Sequence, residues 1–140
     1  MKKKFILVFC FVFIILSVCG CAGKGIDTSS LISEIKNEVK ELGTGATTFY
    51  LTVTDKDKNN TAFAIKTDKT TVGEALKEVS LIEGENGPYG LRVIKVNGIV
   101  ADYDIDKTYW AFYIGGNYAN TGVDKTNIKE GETYSFRVEK

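Results

Sequence analysis

The chain has 140 residues, 18 basic against 18 acidic, with 44% hydrophobic residues, three Cys, one Pro and no His. That length holds one small domain. Balanced charge argues against a nucleic-acid binder, which needs a basic field, and the lack of His removes the commonest general base and transition-metal ligand.

The first segment belongs to a different physical regime. Lys2, Lys3 and Lys4 form a basic start, and Phe5 to Val18 is an apolar run closing on Ser17-Val18. As a helix that run is about 21 Å long, short of a ~30 Å hydrocarbon core, so it reads as a signal peptide. Val18-Cys19-Gly20-Cys21 resembles the bacterial lipoprotein lipobox, which implies cleavage before Cys21 and a diacylglycerol on Cys21. A short uncleaved anchor and plain secretion are the alternatives. Cleavage removes Cys10 and Cys19 and uses Cys21 as the anchor, so no thiol is left for a disulfide or a nucleophile. Without Lys2, Lys3 and Lys4 the chain keeps 15 basic against 18 acidic residues, a net charge of −3. Two acyl chains suffice for stable attachment to a bilayer. The expected segments are a signal peptide over 1–20, a lipidated tether over 21–46, and a folded domain over 47–140, extracytoplasmic and held at the bacterial cell membrane.

Within the tether, Leu31, Ile32, Ile35, Val39 and Leu42 recur at helical spacing between Glu34, Lys36, Glu38, Lys40 and Glu41, predicting a short amphipathic helix that Gly43 and Gly45 end. From Thr47 the period changes to two. Phe49, Leu51 and Val53 alternate with Tyr50, Thr52 and Thr54 as a half-buried strand. Asp55 to Asn60 is a polar turn, and Ala62 to Lys66 the return strand. Thr71 and Glu74 form a capping box for a helix that carries Ala75, Leu76 and Val79 on one face. Glu83, Gly84 and Glu85 read as a solvated loop. Leu91 to Val96 is a third strand ending in the Asn97-Gly98 turn signal, Tyr109 to Ile114 a fourth, and Thr133 to Val138 closes the sheet. This order is α+β, and a small mixed sheet on one helix resembles a β-grasp. Alternation puts Trp110, Phe112 and Ile114 on the core face, opposite Tyr109, Ala111 and Tyr113. Tyr89 and Tyr118 fall in loops rich in Gly, Pro and Asn, where a large aromatic is as readily functional as structural.

Three stretches together carry a resemblance: Gly87-Pro88-Tyr89-Gly90 leading to Asn97-Gly98, Tyr109-Trp110-Ala111-Phe112-Tyr113, and Gly122-Val123-Asp124 with Ile128 to Val138. In order and spacing they resemble the C-terminal β-domain of transcobalamin and intrinsic factor, and most of all the bacterial lipoproteins of the DUF4430, or transcobalamin-like C-terminal, family. The match runs from about Thr47 to the end, about two-thirds of the chain. The resemblance implies that Pro88, Tyr89 and Gly90 in one loop, and Tyr118, Ala119 and Asn120 in another, face a corrinoid such as cobalamin, and that Trp110 is the family Trp. A flat, partly apolar macrocycle suits aromatic edges and backbone donors from rigid turns. The α-barrel half of the animal carriers has no counterpart here, so a second protein or a membrane transporter is the expected partner, and no His is present to ligate cobalt.

The remaining carboxylates are weaker candidates. Asp102, Asp104 and Asp106 alternate as in a calcium loop, but the EF-hand pattern wants Gly and Glu where Lys107 and Tyr113 stand. Solvated turn carboxylates are the default there, with a weak calcium site as the alternative. Asp55, Asp57 and Asn59 fail the same pattern. No phosphate-cradling loop and no nucleophile–base set is found, so an enzyme is not expected and no cofactor is required. The expectation is a lipid-anchored module that captures a corrinoid or similar molecule and passes it to a transporter. The rival is a protein-interaction or adhesive β-grasp module with no small-molecule ligand. A cleft between the Gly87–Gly90 and Gly116–Thr121 loops would favour the first.

Overall fold

The structure, a computed structural model, describes residues 39–140; the expected signal peptide, Cys21 and the tether as far as Glu38 lie outside them. Among the described residues no helix is long and apolar enough to cross a membrane. The elements in chain order are β1 (Val39–Gly43), β2 (Thr47–Thr54), β3 (Asn60–Thr67), α1 (Val72–Glu78), β4 (Ile82–Gly87), β5 (Gly90–Val96), β6 (Ile99–Val100), α2 (Tyr103–Asp106), β7 (Tyr109–Ile114), β8 (Asn117–Tyr118), a 3-10 turn (Val123–Lys125) and β9 (Thr133–Glu139). This is the expected α+β architecture with one main helix.

The period-two pattern drives the larger sheet, of order β1-β3-β2-β9-β7-β8. Its centre is the parallel pair β2–β9, with Leu51 opposite Tyr134 and Val53 opposite Phe136. β7 runs antiparallel to β9, placing Phe112 opposite Phe136 and Trp110 opposite Val138. These inward residues are all buried, and Phe49, Leu51 and Tyr134 are almost completely so. Aromatic rings interlock across the sheet: Phe49 meets Tyr134 edge-on at 5.4 Å, and Phe112 and Phe136 lie 5.1 Å apart. Such geometry adds to the burial term.

The helix closes this face. Thr71 accepts a hydrogen bond from the Glu74 N–H at 3.3 Å and Glu74 accepts one from the Thr71 N–H at 3.4 Å, so the capping box forms as its spacing predicts. Val72, Ala75 and Leu76 are buried in the core.

Three expectations are corrected. The tether helix does not run through to Leu42: Val39–Gly43 is strand β1, parallel to β3, with Leu42 opposite Ile65. A strand there places Leu42 against the core, and tertiary pairing outweighs a short helical periodicity. Glu83, Gly84 and Glu85 are not a loop but part of strand β4. They join β5 and β6 in a second, three-stranded sheet where a single sheet was expected. β4 pairs antiparallel with β5 and shifts register between Glu83 and Gly84. The Asn97-Gly98 signal holds, both residues taking positive φ, 49° and 78°, as the tight hairpin requires.

Candidate functional site

The smaller sheet does not extend the larger one; it stands against it, with β5 packed on β7 and on the 3-10 turn. The gap between them is an open cleft of about 360 Å³. Its floor is the core itself, where Trp110, Phe112 and Phe136 surface between the sheets. One wall is Tyr89, Leu91, Arg92 and Val93 from the β4–β5 turn and β5. The other is Tyr118 to Val123, from β8 through the loop into the 3-10 turn, with Tyr109 alongside.

Of the residues anticipated from sequence, the structure brings Tyr89, Trp110, Tyr118, Ala119 and Asn120 to this cleft. Pro88 and Gly90 flank Tyr89 in the same turn but do not line it. Tyr89 is 92% exposed and Tyr118 58% exposed, and neither ring is needed by the core. The Tyr118 ring meets Tyr113 edge-on at 5.5 Å. Its loop is clipped to the sheet because the Ala119 N–H donates to the Phe112 carbonyl at 2.9 Å. Trp110 takes the core position that alternation predicts, 6% exposed, with its indole N–H donated to the Ile99 carbonyl at 3.2 Å. That bond ties the floor to the smaller sheet and leaves the indole N–H already engaged.

Tyr109 and Arg92 also border the cleft and were not anticipated as site residues. The Tyr109 hydroxyl donates to Glu139 at 3.4 Å, and the Tyr113 hydroxyl donates to the other oxygen of the same carboxylate. Both phenols are pushed up from their ordinary pKa, Tyr109 chiefly by burial and Tyr113 chiefly by its bond to Glu139, so both remain donors at neutral pH. Arg137 lies 4.3 Å over the Tyr113 ring. Arg92 is held by carboxylates of both neighbouring segments, Asp104 at 3.2 Å, Glu85 at 3.7 Å and Asp102 at 3.8 Å. The pattern of Tyr109 was visible, as an outward aromatic of a strand. The role of Arg92 was not, since it depends on a sheet whose first strand carries no strand signal.

Asp102, Asp104 and Asp106 each have partners within the protein. Asp102 caps α2 through the Asp104 N–H, Asp104 turns to Arg92, and Asp106 accepts from the backbone N–H of Thr108 and from its hydroxyl. Asp102 and Asp104 both face Arg92, while Asp106 is turned to Thr108. Asp55 likewise serves its own turn, accepting from the N–H groups of Asp57 and Asn59.

No family model matches the chain, nor does any curated protein. Among solved structures, the chain is similar to a Ruminococcus gnavus protein provisionally described as metal-binding. The TM-score is 0.64 at 29% identity, over 68% of this chain and 98% of the other. It is also similar in fold to haptocorrin, solved in complex with Cbi, with a TM-score of 0.50 at 19% identity, over 71% of this chain. The match spans only 26% of haptocorrin.

Proposed function

We propose that this protein is a lipid-anchored, extracytoplasmic ligand-binding module of the transcobalamin-like kind, which captures a corrinoid in the cleft between its two sheets and passes it to a membrane transporter. The observation that carries the reading is the pair of exposed tyrosines, Tyr89 and Tyr118, presented from separate loops across an aromatic floor. Large aromatic side chains left out of the core at the mouth of a concavity are the usual equipment for gripping a flat, partly apolar ligand. The fold likeness to part of haptocorrin supports the choice of ligand class, and the three sequence stretches support the family. Binding without catalysis is part of the proposal: the chain has no His and the cleft holds no nucleophile–base pair.

An open cleft of this size covers one side of a macrocycle. A second protein, the transporter itself or another surface, supplies the other side, and affinity for the module alone is modest. Calorimetric titration of the chain from Ala22 to Lys140 with cobalamin and with cobinamide tests this. Binding at micromolar Kd, about −8 kcal/mol, is expected and should weaken in Tyr89→Ala and Tyr118→Ala. Silence with both corrinoids would sink the corrinoid reading and favour the protein-interaction alternative.

A further inference from the structure

The larger sheet has a second face, turned away from the core. On β2 and β9 the residues that alternate with the buried ones are short hydroxyl side chains and one arginine. Register sets Thr52 opposite Ser135 and Thr54 opposite Arg137, with Asn60 of β3 opposite Thr54 on its other side. Short side chains along these central strands leave an open groove of about 630 Å³, bordered also by Thr133 and Lys58. Sites for small ligands commonly measure about 300–1,000 Å³. The groove and the aromatic cleft share no lining residue.

Its charge is of one sign. Lys58 stands in the turn between Thr54 and Asn60, and Arg137 lies beside Thr54, so both cations border the same end. Among the described residues no carboxylate lines the groove, although the chain without Lys2, Lys3 and Lys4 carries a net charge of −3. The two arginines of the chain are held differently. Arg92 faces Asp104, Glu85 and Asp102, whereas neither Arg137 nor Lys58 takes part in an ion pair among the described residues. Arg137 is positioned by a ring instead, 4.3 Å over Tyr113, whose hydroxyl is fixed on Glu139. The acids next to the groove in sequence are engaged elsewhere. Glu139 takes the Tyr109 and Tyr113 hydroxyls, and Glu132 accepts from the Thr133 N–H at 3.0 Å. A planar guanidinium held by stacking keeps its fork of N–H donors for an oxyanion. The Thr54 hydroxyl donates to the Asn60 amide oxygen at 2.7 Å, which leaves the amide N–H groups as further donors. The hydroxyls of Thr52, Thr133 and Ser135 both donate and accept, as the hydroxyls of a polyol do.

We infer that this groove binds the phosphate ester of a sugar or similar polyol. The phosphate is held between Arg137 and Lys58, and the polyol hydroxyls lie along Thr52, Thr133 and Ser135. A phosphate suits two cations better than a single carboxylate does, because it brings about two negative charges and three acceptor oxygens.

Calorimetric titration of the chain from Ala22 to Lys140 with glucose 6-phosphate, glucose, glucuronate and inorganic phosphate, at one fixed ionic strength, tests this. Glucose 6-phosphate is expected to bind at least about tenfold more tightly than each of the other three. Arg137→Gln and Lys58→Asn should each weaken it about fivefold or more. Both side chains are exposed, and Asn tolerates the positive φ of 67° at Lys58, so Tm should stay within about 3 °C of wild type. Should Arg137→Gln melt early, Lys58→Asn decides. Glucose or glucuronate binding as tightly as glucose 6-phosphate would overturn the inference, because the paired cations would then select nothing. Inorganic phosphate binding as tightly would overturn it too, since the hydroxyls would contribute nothing. No binding of glucose 6-phosphate, or undiminished binding in Lys58→Asn, would also overturn it, and each of these results leaves the corrinoid reading of the cleft standing.

Discussion

The two sheets of this protein are built on different terms. In the larger one Phe49, Leu51, Val53, Trp110, Phe112, Tyr134, Phe136 and Val138 of β2, β7 and β9 are buried in the core, and the rings of Phe49, Phe112, Tyr134 and Phe136 interlock. In the smaller one β4 buries only Ile82 and is held by its ladder to β5 and by the Lys95–Glu83 and Arg92–Glu85 pairs. Exposed pairs of that kind contribute little each. The weakly buried part is therefore β4 and its turn, since Leu91 and Val96 of β5 belong to the common core, and the cleft opens beside that turn. That division suits a binding module, because a rigid floor can be kept while the walls adjust.

The largest expected effect breaks the stable side. Phe136→Ala removes a ring shared by Trp110 and Phe112 and should cost about 3–5 kcal/mol, a large share of the 5–15 kcal/mol that holds a typical domain. Urea denaturation measures it. Deleting the exposed ring of the β4–β5 turn, by Tyr89→Ala, should change stability by less than about 0.5 kcal/mol. If the two substitutions cost the same, Tyr89 is part of the packing and not a ring left free at the mouth of the cleft.

The same division explains what could be read in advance. β2, β3, β7, β9, the capped helix and the Asn97-Gly98 turn were legible because burial on one face writes a period into the residues. β4 was not, because Glu83-Gly84-Glu85-Asn86-Gly87 has no buried face to write one; its conformation comes from the partner strand. β1 misled for the opposite reason. Val39 and Leu42 fit a helical spacing as well as a strand, and pairing with β3 decides between them. At the site, Tyr89 and Tyr118 were legible as aromatics in turn-rich loops. Arg92 was not, since its place in the cleft wall depends on β5 pairing with a strand that carries no period.

An intermediate effect sharpens the comparison at the join between helix and cleft. Thr71→Ala removes one bond of the capping box and should cost about 1 kcal/mol. The helix start is also tied to the strip behind the 3-10 turn, the Val72 N–H donating to the Thr126 carbonyl and the Ile128 N–H to the Thr70 carbonyl, each at 2.9 Å. Those backbone bonds survive the substitution. Calorimetry should therefore show corrinoid affinity within about twofold of wild type while Tm falls. A matching loss of affinity would mean that the helix start positions the cleft wall, and that stability and binding are less separate than the two sheets suggest.

The smallest expected effect concerns the turn that leads from the smaller sheet back to β7. Asp106 accepts two hydrogen bonds from Thr108, at 3.0 Å from the backbone N–H and 2.5 Å from the hydroxyl. The hydroxyl bond, more than the backbone bond, holds its carboxyl below the usual carboxylate range. A carboxylate whose folded pKa lies below its unfolded value contributes stability that is present above the unfolded pKa and lost as pH falls through the folded one. Comparing wild type with Asp106→Asn by urea denaturation should thus show a constant, small gap between pH 8 and 5 that closes as pH drops below 3.8. A gap that widens in acid would mean that the turn is held by something other than the charged carboxylate. The small size of the effect is itself informative, because Asp106 is exposed and its bonds compete with water on equal terms. Side-chain-to-backbone bonds of this kind shape the loops around the cleft, whereas burial decides whether the larger sheet folds at all.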